Sequence, residues 1–480
     1  MNRSKNKDDR LPEILLAQAG EFISGSMGLY FPKGRRRELE RGLRSAAPDF
    51  GFEDPEAYTR WLISSTLDKS QIEILAGHLT VGETYFFRDK RTFALLEEKI
   101  LPELIKLRRT TGKVLRIWSA GCCSGEEPYS LAILLHKIMG DTKDWNISLL
   151  ATDINPVFLR KASAGIYGEW SFRDTPEWVR ERYFTKTKEK RFELHPKIRK
   201  RVSFTYHNLA ETAYPSLLTN TNALDLILCR NVLMYLTPDH QTYVNGKLGQ
   251  CLVEGGWLIT GPSETTDAPS SGLVNVHFQG ATFYKKQETR GLTTGLTIDD
   301  WRLSIEKQEP KRLATDSIKS TIVNQQLSMT PRRLAIEKQP SSADFQSSII
   351  DQPSTIQMAR TAANQGSLPE ALGYCEKAIA ADRFNPGHYY LQASILQEQG
   401  KLKEATADLK KALYLDQDFI PAHILLGNLT LRQGNRRESS RHFRNALRLL
   451  GCRPSEEVIP GAEGLTAGRL REIVRTTVGD

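Results

Sequence analysis

The segment Gly121-Cys122-Cys123-Ser124-Gly125-Glu126-Glu127-Pro128 follows a β-rich run ending Ile117-Trp118-Ser119-Ala120 and opens a helical pattern. Glycines in a strand-to-helix turn let backbone come close to a ligand, and Pro128 near the helix start lacks an N–H that would have no intrahelical partner. The next strand ends Ala151-Thr152-Asp153, which puts a carboxylate at the carboxyl edge of a sheet, where it can accept both hydroxyls of a ribose. A nucleoside ligand is therefore expected. A pyrophosphate would lie against the positive end of the helix, but Glu126 and Glu127 stand there and would repel it. A cationic nucleoside without phosphate fits better. S-adenosylmethionine carries a sulfonium, an ammonium and a ribose, so Glu127 would take the ammonium and Asp153 the ribose. The plainer alternative is a tight connection with two exposed acids favouring a helix N-terminus.

The elements that must hold these groups follow from hydrophobic periodicity. Residues 12–23, 34–45, 55–64, 70–78 and 89–108 space apolar side chains by three or four, which predicts helices. From Val114 the period changes. Short β-rich runs at 114–118, 147–150, 224–228 and 257–259 alternate with helical stretches such as 129–139 and 238–252, the pattern of a parallel α/β sheet. Residues 286–352 are poor in apolar side chains and contain the echo Arg302-Leu-Ser-Ile-Glu-Lys-Gln308 and Arg333-Leu-Ala-Ile-Glu-Lys-Gln339, so they read as a disordered linker. Beyond them Gly366, Ala371 and Ala378 recur as Gly400, Ala405 and Ala412, then as Gly434, Ser439 and Ala446. A step of 34 residues is the period of tetratricopeptide repeats, with small residues where paired helices touch and glycine in the turn.

With 480 residues, several domains are expected. No apolar run is long enough to span a membrane, and the charged first ten residues lack the apolar stretch of a secretion signal, so the expectation is a cytoplasmic protein without membrane insertion. Six cysteines with no C-x-x-C pair argue against a disulfide scaffold and against a metal site. The net charge of +9 permits an acidic partner. Arg37, Arg41 and Arg44 fall along one helix face, with Lys33, Arg35 and Arg36 nearby, and no aromatic residues interleave with them as a nucleic-acid platform would require.

Five segments in order resemble the CheR family of chemotaxis protein methyltransferases, over roughly residues 11–285. They are Leu79-Thr80-Val-Gly-Glu-Thr84-Tyr-Phe86-Phe87-Arg88-Asp89, Ser119 to Ser130, Ala151-Thr-Asp153-Ile, His207-Asn208-Leu209, and Cys229-Arg230-Asn231-Val-Leu-Met-Tyr235. The resemblance implies a multidomain chain. Residues 11–90 would form an all-α receptor-recognition domain, and 91–285 a Rossmann-like α/β S-adenosylmethionine-binding domain with a small antiparallel β-subdomain near residues 186–201. The linker 286–352, three α-α tetratricopeptide repeats over 353–450 and a tail with a capping helix over 451–480 would follow. It further implies that Thr84, Arg88, Glu127, Asp153, Asn208, Leu209, Asn231 and Val232 surround the cofactor, with Arg88 and Tyr235 nearest the transferring methyl. Two departures stand out: Gly82, where the family often has Asn, and Gly261-Pro-Ser-Glu264, where it has Gly-His-Ser-Glu.

The implied reaction is attack of a glutamate side-chain oxygen on the sulfonium methyl, giving a methyl ester and S-adenosylhomocysteine. At pH 7 a glutamate of pKa about 4.3 is already the nucleophile, so no general base is required. The implied partners are the methylation helices of chemoreceptors, docked on Arg37, Arg41 and Arg44, with recruitment to membrane receptor arrays; the repeats would offer a concave surface to a further protein. The rival readings are a cofactor-binding scaffold without turnover and methyl transfer to RNA. A linker of this length predicts that the catalytic and repeat units move independently unless the linker docks.

Overall fold

The computed structural model describes residues 10–110, 112–141, 144–211, 214–217, 219–264, 272–278, 281–287 and 354–478. Nearly all of the linker, including its echo at 302–308 and 333–339, lies outside them. Four helices come first: α1 (Glu13–Met27), α2 (Arg36–Ala46), α3 (Pro55–Ser64) and α4 (Lys69–Leu79). Asp54 caps α3, and Asp68 with Gln71 forms a capping box on α4, so backbone N–H groups at both helix starts find acceptors just where the apolar period begins. Leu39, Leu43 and Ala46 of α2 turn inward and its basic residues outward. The predicted helix at 89–108 begins on the Asp89 cap and runs as α5 (Lys90–Leu95), a π-helical stretch (Leu96–Ile100) and α6 (Leu101–Thr110).

The α/β unit contains β1 (Val114–Ala120), α7 (Glu126–Met139), β2 (Asn146–Asp153), α8 (Pro156–Ala164), β3 (Ile166–Tyr167), α9 (Glu177–Tyr183), β4 (Phe184–Lys186), β5 (Phe192–Leu194), α10 (Pro196–Arg199), β6 (Val202–Tyr206), β7 (Leu224–Cys229), α11 (Pro238–Cys251), β8 (Leu252–Thr260), β9 (Leu273–Phe278) and β10 (Ala281–Lys286). The main sheet has the order β6-β2-β1-β7-β8-β10-β9. Its first five strands are parallel, and β10 and β9 add an antiparallel edge that the sequence pattern does not announce. The small sheet β3-β5-β4 is antiparallel and inserted between β2 and β6. Chain order reverses at β1, between β2 and β7, and a ligand crevice is expected outside the carboxyl ends of the strands at such a reversal.

The last segment holds three helix pairs, α12 (Thr355–Asn364) with α13 (Leu368–Ala381), α14 (Pro386–Glu398) with α15 (Leu402–Leu415), and α16 (Ile420–Arg432) with α17 (Arg436–Gly451), followed by α18 (Ala467–Val478). Gly366, Gly400 and Gly434 have φ of 80°, 76° and 83°, a conformation that a side chain disfavours, which is why glycine recurs in the intra-pair turns. Ala371, Ala405 and Ser439 are buried at equivalent helix contacts. No helix among the described residues is long and apolar enough to cross a membrane.

The repeats are packed against the α/β unit, and the described residues form one compact body, contrary to the independent motion that the linker length suggests. Two of the pairs are covered further: Tyr390, Ser394 and Glu398 of α14 and Ile424 of α16 are buried, with Ile459, Ala462 and Leu465 of the tail in the same apolar cluster as Tyr390 and Ile424. On α14 and α16 the tail of the same chain takes up part of the surface that the repeats would offer to a partner.

Within the repeats His423 and His442 face each other with their Nδ1 atoms 3.1 Å apart, and His423 Nε2 meets the carbonyl of Gln417 at 2.9 Å. Burial depresses both, His442 to about 4. The unfolded chain, with histidines near 6.5, takes up these protons first, so the stability contributed by neutral packing is complete above about pH 6.5 and is lost as pH falls toward 4. Melting curves should show a lower midpoint at pH 5 than at pH 7.5, and His442→Gln should flatten that dependence.

Candidate functional site

The carboxyl ends of β1, β2, β6 and β7 meet residues 79–88 and the helical unit in a cleft of about 1050 Å³, part of it open to solvent. The turn after β1 is anchored first: the N–H groups of Gly121 and Cys122 both donate to the carbonyl of Thr152 at 2.8 Å. Gly121 has φ of 79°, and a Cβ built on it would stand 2.3 Å from Val232 Cγ2, so only glycine lets this turn and residues 231–232 close together. Asp153 then closes the turn from β2. Its carboxylate accepts N–H groups of Cys123 at 2.8 Å and Asn155 at 2.9 Å, yet burial dominates and pushes its pKa up to about 6.

Glu126 and Glu127 have different fates. Glu126 is 1% exposed and accepts the hydroxyls of Ser124 (2.7 Å) and Ser171 (3.0 Å), tying the turn to the β-subdomain. It faces away from the cleft, which corrects the reading that both acids confront the ligand. Glu127 does line the cleft, and its charge is compensated: Ser119 donates to it at 2.8 Å and Arg230 Nη1 at 3.1 Å. Arg230 also reaches Asp89 at 3.1 Å and the carbonyl of Arg88 at 3.1 Å. One guanidinium therefore joins the end of β7 to the starts of α5 and α7.

Thr84, Arg88, Glu127, Asp153, Asn208, Leu209, Asn231, Val232 and Tyr235 all line this one cleft. Arg37, Arg41 and Arg44 do not. Arg37 and Arg41 are exposed without an ion pair among the described residues, whereas Arg44 is held by Glu40 at 3.1 Å. The donor set fits S-adenosylmethionine: carboxylates at the ends of β2 and α7, a backbone turn closed to within contact of Val232, and apolar walls that include Ile154, Phe158 and Leu209.

The family model described as "CheR methyltransferase, SAM binding domain" matches residues 82–277. A chemotaxis protein methyltransferase of Borreliella burgdorferi is 30% identical over 291 residues, covering 60% of this chain and all of that protein. The chain belongs to the CheR family. Chemotaxis protein methyltransferase 2 of Vibrio cholerae is 33% identical over 266 residues, 55% of this chain and 90% of that one, and chemotaxis protein methyltransferase 1 of Pseudomonas aeruginosa is 36% identical over 267 residues, 54% and 90%. A tetratricopeptide repeat model matches residues 389–419. As a CheR-family chain the protein is an S-adenosylmethionine-dependent methyltransferase.

Three residues in or behind this CheR cleft carry no role in the motif reading. Arg35, ahead of the basic stripe, lines the cleft with its guanidinium 4.7 Å from the centroid of the Tyr235 ring and 5.1 Å from that of Phe31. Glu264 is 7% exposed and accepts three backbone N–H groups, of Asn231 (2.7 Å), Gly261 (2.8 Å) and Met234 (3.1 Å). Phe158 fills the space beside Gly82, whose Cβ would stand 2.7 Å from the ring tip, so the family's frequent Asn would require that ring to move. Burial raises the Cys122 thiol and pushes Cys123 up to about 12, which leaves neither as a thiolate nucleophile at neutral pH.

Proposed function

We propose that this chain methylates glutamate side-chain carboxylates of chemoreceptors, producing methyl esters in sensory adaptation. The observation that carries the reading is one cleft holding two kinds of recognition: the carboxylates of Asp153 and Glu127 suited to the donor, and Arg88 and Arg35 with Tyr235 suited to an anionic acceptor. When bound, S-adenosylmethionine supplies an electrophilic methyl group on a sulfonium. Asp153 would hold the ribose and Glu127 the ammonium, with Thr84, Asn208, Leu209, Asn231 and Val232 around them. Arg88 would steer the incoming carboxylate, and Tyr235, fixed by the N–H of Tyr30 donating to its carbonyl at 2.7 Å and by Arg35 against its ring, would orient it. The acceptor is ionised without help, so the residues supply alignment and exclusion of water rather than proton transfer. Arg37 and Arg41 would dock the anionic receptor helix, with Arg44 contributing from its pair with Glu40.

Tritiated-methyl transfer into receptor-containing membranes should give a base-labile ester. A base-stable product with steep salt dependence would point to RNA instead, and cofactor binding with no transfer would point to a scaffold.

The carboxylate of Asp153 must be ionised to accept two ribose hydroxyls, and its raised pKa makes protons competitors for the cofactor. Affinity for S-adenosylhomocysteine is expected to be flat above about pH 7 and to fall about tenfold per unit below 6. Calorimetry from pH 5 to 8 measures this, and Asp153→Asn should bind weakly without that pH dependence.

A further inference from the structure

The tail of the chain reaches the cofactor end of the sheet. Helix α18 packs on β6, the outer parallel strand, and from it Arg469 is inserted with 8% exposure. Its Nη2 donates to the carbonyl of Tyr206 at 2.8 Å and lies 3.5 Å from His207 Nδ1, its guanidinium carbon is 4.7 Å from the Tyr206 ring centroid, and its Nε is 3.8 Å from Glu211. Tyr206 is the last residue of β6 and pairs in register with Asp153, and the N–H of His207 donates to the Asp153 carbonyl at 3.1 Å. The next residues, His207, Asn208 and Leu209, line the cleft. Arg469 thus grips the strand end from which three cleft residues hang.

The opposite end of the sheet is held by the same module. Asn222, just before β7, donates to Glu398 Oε1 of α14 at 2.8 Å, Arg116 of β1 lies 3.7 Å from that carboxylate, and Asn146 at the start of β2 donates to the Glu398 carbonyl at 3.3 Å. Ser216 donates to Glu463 of the tail, and Leu217 enters the apolar cluster of α12, α13 and α14. The repeat module is therefore anchored at the amino ends of the strands, and its capping helix touches the carboxyl end where the cleft lies.

We propose that Arg469 is a positioning residue for the cofactor: by fixing Tyr206 and the residues after it, the docked repeat module sets the affinity of the cleft for its nucleoside ligand. The inference rests on the cofactor seat described above. Because binding coupling is reciprocal, a ligand in the cleft must tighten the seating of α18 as much as that seating tightens the ligand. Any partner that loosened the repeats from the sheet would lower cofactor affinity from a distance.

The test is calorimetric titration of the full chain with S-adenosylhomocysteine. Arg469→Gln should raise Kd about tenfold, equivalent to about 1.4 kcal/mol, with KM for the donor rising in parallel and kcat at saturating donor unchanged. Arg469→Lys should recover part of the loss, and Arg475→Gln, at an exposed position on the same helix, should bind like the unaltered protein. Independently of any variant, saturating S-adenosylhomocysteine should slow amide hydrogen exchange in 467–478 of the unaltered chain. An unchanged Kd in Arg469→Gln overturns the proposal, as does exchange in that helix indifferent to the ligand. Failure of the unaltered protein to bind the ligand at all overturns the cofactor seat and this proposal with it.

Discussion

Arg230→Met is expected to weaken S-adenosylhomocysteine binding by about a hundredfold or more, close to 2.7 kcal/mol, and to destabilise the fold by about 3 kcal/mol. The Arg230 side chain is 2% exposed and is the cation shared by Glu127 and Asp89, whose side chains are 13% and 26% exposed. Methionine keeps an unbranched apolar stem in place of the arginine's but leaves two half-buried carboxylates without a counter-charge, and Phe93 without the guanidinium over its ring. The stability loss is set at the low end of the range for broken buried pairs because Asp89 keeps partial contact with water. Binding suffers further, since Glu127 would keep only Ser119 to orient it, and the carbonyl of Arg88 would lose the guanidinium that fixes the turn carrying Arg88. Arg230→Lys separates the two effects. It retains a charge for stability but cannot fork between Glu127 and Asp89, so it should melt closer to the unaltered protein while still binding poorly. Calorimetry and thermal melting on both variants decide the matter, and near-normal binding by Arg230→Met would show that Glu127 holds its position without the pair.

Local pattern was enough to locate most elements. The periodic stretch at 55–64 coincides with α3, whose spacing records one buried face, and the β-rich runs at 114–118 and 224–228 lie inside β1 and β7, which are buried along nearly their whole length. The edge strands escaped for the converse reason. β6 lies next to the basic insertion and β9 alternates half-buried residues with an exposed His277, so neither carries the continuous apolar run of β7. In the site, Asp153 and Glu127 are legible because strand-turn-helix chemistry is local, whereas the remaining cleft residues came from resemblance to a family. Arg230 and Glu264 stand inside quoted segments but act on partners 141 and 33 residues away, and no local signal reports such a partner. The docking of the repeats is further removed still, with Asn146 and the Glu398 carbonyl 252 residues apart. A period of 34 residues specifies the stack but says nothing about what packs against it.

Glu264→Ala should cost about 3 to 5 kcal/mol and remove methyl transfer, although Glu264 does not line the cleft. Its carboxylate is the acceptor for the N–H groups of Asn231, Gly261 and Met234, and each buried donor left without an acceptor costs about 1 to 3 kcal/mol. Asn231 has φ of 58°, a left-handed conformation that asparagine tolerates better than most residues, and the Glu264 bonds to the N–H groups of Asn231 and Met234 hold the path of residues 231–235 from outside. That path places Asn231, Val232 and Tyr235 on the cleft wall. Once the acceptor is gone, relaxation of Asn231 would move Val232 off Gly121 and carry Tyr235 away from Arg35. Glu264→Gln distinguishes this role from a requirement for charge. Its amide oxygen can keep the two N–H groups that share Oε2, those of Asn231 and Gly261, and lose only that of Met234. The expected order is therefore unaltered chain, then Gln, then Ala, in both melting temperature and donor affinity. Equal losses for Gln and Ala would mean that negative charge, rather than acceptance of those backbone donors, is what this position supplies.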